Sequence, residues 1–277
     1  MDYTVVIPSY KRAELCRDKT LAVLHKYKIP KEQIVVIVAN KEEKDAYELV
    51  LDPKTYKEIL VGVPGLANVR NWIFKHFPKG KKLVSCDDDI NGFIEYDPKT
   101  KRHERELRSL KDTIRRGFSE CEKAKCGHWG IYPSPNGFFM KPTVSTDLKF
   151  IIGSFGGFIN PGNEVLIEIS EGEKDDYERT LKFFQRDGAV VRLNFVSAKT
   201  ATYKTPGGLQ LGNRLVKERK TVKALMKKYP GWIRLNPTRK SKMPEIRLVD
   251  PTKGTSGAKG TTGTKGMKGK KTRKVRN

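Results

Sequence analysis

Asp87, Asp88 and Asp89 stand side by side between two apolar stretches, Leu83-Val84-Ser85-Cys86 and Ile90 to Ile94. Adjacent carboxylates repel one another, so three of them at the end of an apolar run call for a counter-charge. Along an extended chain alternate side chains share a side, which sets Asp87 and Asp89 together and Asp88 opposite. Two hard oxygen donors on one side suit Mg²⁺ or Mn²⁺ and leave coordination positions for the oxygens of a substrate diphosphate. In isolation, three aspartates would read as a solvated acidic turn. With apolar segments on both sides, the expectation is a divalent metal site at Asp87 and Asp89.

The elements that must position these acids follow from the patterning around them. Tyr3-Thr4-Val5-Val6-Ile7 is a buried strand that stops at Pro8-Ser9-Tyr10. Leu15, Leu21, Leu24 and Tyr27 mark a helix between Arg12 and Tyr27, closed by Pro30. Gln33 to Ala39 is a second buried strand, Lys41 to Leu51 a polar helix, and Ile59 to Val63 a third strand. Pro64-Gly65 opens a helix with Leu66, Val69, Ile73 and Phe77 on one face, and Lys82 to Cys86 is a fourth strand. This alternation predicts an α/β fold with a mostly parallel central sheet flanked by helices. Ligands in such sheets sit beyond the carboxyl ends of the strands. Ser9, Tyr10, Arg12, Asn40 and the aspartates all fall there.

The second half is more mixed. Leu107 to Cys121 reads as a helix, and Gly130 to Phe139, with Pro133, Pro135 and Gly137, as a loop-rich segment. Phe150 to Ile159 is apolar and glycine-rich: a strand interrupted where a ligand approaches the backbone, or a tight bend in the core. Glu173 to Phe184 is a helix whose acidic first turn the macrodipole favours on its own account. Val190 to Val196 reads as one strand, and Leu215 to Tyr229 as a basic helix with Val222, Leu225 and Met226 inward. From Thr252 on, Gly, Lys and Thr dominate, as expected of a tail that is disordered or orders only on a polyanion.

The formal net charge of the 277 residues is +24; nine Lys and Arg and no acid lie in 253–277, leaving +15 on the rest. Such a surface fits a polyanionic partner, because phosphates release counterions when Lys and Arg bind them. Cys16, Cys86, Cys121 and Cys126 lack CxxC spacing and read as buried thiols in a reducing compartment. Met1 is followed at once by a short apolar strand, and no stretch approaches 18 apolar residues. Neither a signal peptide nor a membrane span is expected, and the chain reads as a soluble, intracellular monomer.

Taken in order, Ile7-Pro8-Ser9-Tyr10-Lys11-Arg12, Gly65-Leu66-Ala67-Asn68-Val69-Arg70-Asn71 and Asp87-Asp88-Asp89 resemble the GT-A nucleotide-sugar glycosyltransferases over residues 3–95. The resemblance implies a GT-A (Rossmann-like) domain with 1–97 as its nucleotide-sugar half and 98–250 as its acceptor half, followed by a basic tail, 251–277. It implies that Pro8, Ser9, Tyr10, Arg12, Asn40, Arg70, Asn71, Asp87 and Asp88 serve the nucleotide end of a UDP-sugar, while Asp87 and Asp89 hold Mn²⁺ or Mg²⁺. A dication and hydrogen-bond donors would neutralise the diphosphate as the sugar bond breaks. Arg70 offers a donor fork for that purpose, although a surface ion pair is the usual fate of a helical arginine.

Glu173-Lys174-Asp175-Asp176-Tyr177-Glu178-Arg179 resembles the acidic helix start that carries the catalytic base of inverting members. That implies Asp176, or failing it Asp175, as the group that takes a proton from the acceptor hydroxyl. The pattern departs from members that complete the metal shell with a C-terminal histidine: His25, His76, His103 and His128 all precede this helix.

Lys149 to Gly157 and Tyr203-Lys204-Thr205-Pro206-Gly207-Gly208, with Ile7 to Arg12, are similar to a narrower branch, the TET-associated and base J DNA glucosyltransferases. That similarity implies transfer of a sugar, glucose, to the hydroxyl of 5-hydroxymethylcytosine or 5-hydroxymethyluracil in DNA. It also implies a phage or viral product in the host cytoplasm, or a nuclear protein if eukaryotic. An enzyme of this kind unstacks a base and holds the backbone with cations. Lys and Arg of 214–228 and 234–247, with Tyr229 and Trp232 interleaved, are candidates for the grip, and Phe138 and Phe139 for base stacking. Burial is the commoner fate of such aromatics. Alternatives are a glycosyltransferase for glycan, glycoprotein or lipid acceptors, a non-enzymatic nucleic-acid-binding protein, and a nucleotidyltransferase. The glycine-rich phosphate loop of the last has no counterpart in Pro8 to Arg12.

Overall fold

The β-branched run near the N-terminus forms β1 (Thr4–Pro8). In the computed structural model, which describes residues 1–164, 168–170, 172–200, 214–236 and 245–253, it lies near the middle of the central sheet. A helical run follows in three pieces: α1 (Ala13–Leu15), a π-helical turn (Cys16–Leu21) and α2 (Ala22–Lys26). Next come β2 (Ile34–Val38), α3 (Lys41–Val50), β3 (Glu58–Val61), α4 (Leu66–His76) and β4 (Lys82–Cys86). Beyond the aspartates lie β5 (Ile90–Tyr96), β6 (Glu104–Glu106), α5 (Leu110–Ala124), β7 (His128–Ile131) and β8 (Val144–Ser145). β9 (Phe155–Ile159), α6 (Asp175–Asp187), β10 (Val191–Leu193), β11 (Val196–Thr200), α7 (Arg214–Lys228), β12 (Ile233–Leu235) and β13 (Ile246–Leu248) complete the order.

Among the described residues the central sheet has eight strands in the order β3-β2-β1-β4-β9-β7-β10-β8. β1 to β4 are mutually parallel, β9 runs against both β4 and β7, β10 follows β7, and β8 opposes β10. Six strands therefore end on one edge, and β9 begins there. β5 leaves the same edge to pair with β11 and β6 in a second sheet, and β12 and β13 form a hairpin.

Strand alternation sorts the core onto the two faces of the sheet. Val5, Ile7, Val36, Val84 and Cys86 face α1, α2, α3 and α5; Val6, Val35, Ile37 and Leu83 face α4, α6 and α7. Trp129 on β7 fills the space between α5 and β9, because a Cβ at Gly117 or Gly157 would collide with its indole. Gly157 of β9 thus makes room for a core side chain and Gly156 for the backbone of β7, whereas Gly153 lies ahead of that strand.

The mostly parallel sheet and its flanking helices are as expected, with local differences. Gly130 and Ile131, expected in a loop, belong to β7, and Gly137–Phe139 form a 3₁₀ turn capped by the Asn136 side chain. The apolar run Val190 to Val196 divides into β10 and β11, because Asn194 and Phe195 turn the chain from one sheet to the other. All four cysteines are buried and free. Among the described residues no helix is long and apolar enough to cross a membrane. The Tyr203 to Gly208 segment and the basic tail from residue 254 lie outside the described residues.

Candidate active site

β4 delivers its end to the open edge of the sheet. Asp87 continues the strand, donating its backbone N–H to Ser154 O at 2.9 Å. Asp88 and Asp89 then turn the chain into β5, so alternation governs Asp87 and Asp88 but no longer fixes Asp89. Asp87 falls on the face covered by α4, and its Oδ1 accepts from Arg70 Nη2 at 2.9 Å. Asp88 is buried on the other side, accepting from Ser9 Oγ at 2.6 Å and from Arg12 Nη1 at 3.4 Å. Burial pushes the carboxyls of Asp87, Asp88 and Asp89 above the ordinary range, and neighbouring aspartates add to the effect on Asp87 and Asp89.

The loop after β1 is built around one hydroxyl from α3. Tyr47 Oη accepts from Arg12 N at 3.1 Å and lies 2.6 Å from Ser9 Oγ, which itself donates to Asp88. The result is a continuous chain from the Arg12 backbone through Tyr47 and Ser9 to Asp88. Burial of such a chain strengthens each link. Lys11 holds the loop's bend at φ 56° and donates its N–H to Glu43 Oε2 at 2.8 Å. Tyr10 is half-buried, with the Lys11 ammonium 5.3 Å from its ring centroid.

Arg70 is only 4% exposed, so the surface ion pair usual for a helical arginine does not describe it. Its Nη1 donates to Ser85 Oγ, its Nη2 to Asp87 and, at 3.4 Å, to Gly153 O. Its Nε lies 3.6 Å from Asp175 Oδ2, which also accepts from Arg179 Nη2 at 2.5 Å. Asp175 is thus enclosed between two guanidinium groups. Asp176 is half-buried and differently placed: Oδ2 accepts from Gly153 N at 3.3 Å and Oδ1 from Tyr177 N at 3.0 Å. Burial and then the Asp175 charge push its carboxyl up to about 7. One residue, Gly153, therefore receives Arg70 on its carbonyl and presents its amide to Asp176.

At the strand ends Ser9 and Arg12 meet Asp88, while Arg70 links Asp87 with Asp175 and, through Gly153, with Asp176; Asp89 lies in the same turn. Two other candidates have local duties. Asn40 is exposed and caps α3, its side chain accepting from Glu43 N at 2.9 Å. Asn71 clasps the backbone of Ile169, donating to its oxygen at 2.8 Å and accepting from its nitrogen at 3.0 Å. Sequence reasoning missed Tyr47, Ser85 and Arg179. Ser85 alone carried a visible signal, as a hydroxyl inside the apolar run of β4.

Among the described residues no three His, Cys, Asp or Glu side chains are grouped to enclose a metal ion. The donors at the turn are hard carboxylate oxygens. They fit a cation that takes its other ligands from water and phosphate better than a closed protein cage.

Of the residues expected to meet an acceptor, Phe138 and Phe139 are 63% and 61% exposed, and the Phe138 ring lies 5.0 Å from that of His103. Tyr229 is buried, its hydroxyl donating to Glu178 at 2.7 Å and its ring centroid 5.4 Å from the Lys228 ammonium, and half-buried Trp232 packs on Phe184. Residues 237–244 of the expected basic grip lie outside the described residues.

No family model matches the chain, and no curated protein matches it. Among solved structures it is similar to a protein from Desulfovibrio desulfuricans described as a nucleotide-diphospho-sugar transferase, at 12% identity and TM-score 0.44, covering 82% of this chain and 97% of that one. A 4-diphosphocytidyl-2C-methyl-D-erythritol synthase from Anaerococcus prevotii is similar at 12% identity and TM-score 0.39, covering 73% and 94%. Glucosyl-3-phosphoglycerate synthase from Mycobacterium tuberculosis, solved with Mn²⁺, UDP-glucose and phosphoglyceric acid, is similar at 12% identity and TM-score 0.42, covering 90% and 87%. Identities this low leave the roles of individual residues to the geometry above.

Proposed function

We propose that this protein is a metal-dependent GT-A glycosyltransferase that moves a sugar from a UDP-sugar to a hydroxyl group with inversion. The observation that carries the proposal is the Gly153 backbone, whose carbonyl meets Arg70, the partner of Asp87, and whose amide meets Asp176. A diphosphate site and a proton acceptor then share one edge of the sheet. Asp87 and Asp89 would hold Mn²⁺ or Mg²⁺, which when bound supplies positive charge to the departing nucleoside diphosphate. Ser9 and Arg12 orient Asp88 at the nucleotide end. Arg70 holds Asp87, and its full burial keeps that geometry rigid. Asp176, with its proton affinity raised to about 7, takes the proton of the attacking hydroxyl. Asp175, neutralised by Arg70 and Arg179, positions those two cations.

The acceptor in this reading is a 5-hydroxymethylpyrimidine in DNA. Supporting it are the net charge of +24 and the exposed Phe138 and Phe139. The test is mass spectrometry of nucleosides from DNA containing hydroxymethylcytosine, after incubation with the protein, Mn²⁺ and a panel of nucleotide sugars, with unmodified DNA alongside. A hexose gain on the hydroxymethylated base alone is the expected result. Donor hydrolysis without labelled DNA would move the acceptor to another class of hydroxyl. The absence of both signals would overturn the enzyme reading.

A further inference from the structure

The helical run after β1 changes pitch where it passes the acidic turn. Between α1 and α2 the turn Cys16–Leu21 is π-helical, and the N–H of Ala22 reaches back to Arg17 O. Such turns are rare inside α-helices and frequently fall at functional sites. The fully buried polar side chain in this one is Thr20. Its Oγ1 donates to Asp87 O at 2.7 Å and accepts from Ile90 N at 3.0 Å.

Those two backbone atoms are the first and fourth positions of the turn that carries Asp88 and Asp89. A closed turn would join them directly, carbonyl to amide. Here the Thr20 hydroxyl stands between them and satisfies both, which holds the turn open by one oxygen atom. We infer that Thr20 is a positioning residue for the divalent-metal site, spacing Asp87 and Asp89 so that both reach one cation. The inference rests on the metal reading above and adds to it a residue 67 positions away from the aspartate whose carbonyl it holds. Thr20 itself touches neither metal nor sugar.

Thr20→Val replaces the hydroxyl with a methyl of equal size, leaving the carbonyl of Asp87 and the amide of Ile90 to move together. Mn²⁺ titrated calorimetrically into the full chain with UDP present, well below the unfolding temperature, should bind about tenfold more weakly to Thr20→Val, as expected when a buried hydrogen-bonding group is lost. Thr20→Ser, which keeps the hydroxyl, should stay within about threefold of the parent, since both its bonds remain available. A purely structural threonine would lower the unfolding temperature and leave Mn²⁺ affinity unchanged, and that outcome overturns the inference. If Thr20→Val cannot be recovered folded, Thr20→Ala carries the same expectation. A parent protein that binds no Mn²⁺ in the presence of UDP would instead overturn the metal reading, and this inference with it.

Discussion

Arg70 Nε and Asp175 Oδ2 approach to 3.6 Å inside the protein, yet among the described residues that nitrogen has no hydrogen-bond partner. The carboxylate spends its stronger bond on Arg179, so two buried cations share one anion, and Asp87 supplies the second. Taking charges out of water is costly, and only the whole set balances. Removing any one member strands the others.

Arg70→Met should therefore destabilise the fold by about 3–5 kcal/mol, the usual cost of breaking a buried ion pair from one side. Urea denaturation measures it. A loss below about 1 kcal/mol, the range of exposed pairs, would show that Arg70 is not holding the two aspartates.

Asp175 and Asp176 are neighbours in different surroundings, the first between two guanidinium groups and the second on backbone amides. Asp176→Asn should cut kcat by about 10²–10⁴-fold, the usual contribution of a general base, with little change in unfolding temperature. Asp175→Asn should do the reverse, lowering stability first. With the Asp176 carboxyl raised to about 7, the parent rate should climb with pH through that region and level off above it. Equal effects of both substitutions on kcat would remove the distinction.

Asp89→Ala should reduce transfer by roughly 10²–10³-fold, as when a preorganised electrostatic partner is lost, while DNA binding persists. Gel-shift and turnover assays on one preparation suffice. An active Asp89→Ala enzyme would refute its place at the metal.

His128 gives the fold an acid-sensitive point. Its ring is buried, stacks on Phe158 at 4.3 Å and bonds through Nδ1 to Gly157 O at 3.1 Å; burial pushes its pKa down from 6.5 to about 3. The unfolded chain thus binds the extra proton between those limits and the folded chain does not. The His128 contribution to stability should be full above about pH 6.5 and fall by up to about 1.4 kcal/mol per unit below it, against the opposite contribution of the raised Asp176 carboxyl, which favours the folded chain as pH falls. His128→Asn should flatten that slope in denaturation curves taken from pH 7 to 4. An unchanged slope would assign the acid sensitivity elsewhere.

Phe138→Ala with Phe139→Ala should weaken single-stranded DNA binding by about 1–3 kcal/mol for each base that stacks there. Donor hydrolysis should not change. Filter binding at fixed salt reads the first, and unaltered affinity would take these rings out of the acceptor site.

The first half of the fold was legible because buried parallel strands are continuous apolar runs, as in Ile34–Val38, and each ends at polar residues on one edge. The hairpin of β12 and β13 was not, since three residues with an exposed arginine in the middle carry no periodic signal. The three aspartates announced themselves by type. Their division of labour did not, because it depends on where the strand stops and the turn begins. Arg70 shows the same limit: its sequence neighbours describe an ordinary amphipathic helix, and only Ser85 and Asp87 reveal why it is buried. Thr20 and Tyr47 meet partners far along the chain, which no local pattern encodes.

The indole of Trp129, lodged where Gly117 and Gly157 have no side chains, has a consequence for how this protein can change. Helix and strand are spaced by a single ring, so the three positions form one mutational unit. Any larger residue at either glycine is closed off until position 129 shrinks, and a smaller residue at 129 opens a void until a glycine grows. Variation there must be paired and ordered, with Trp129 moving first.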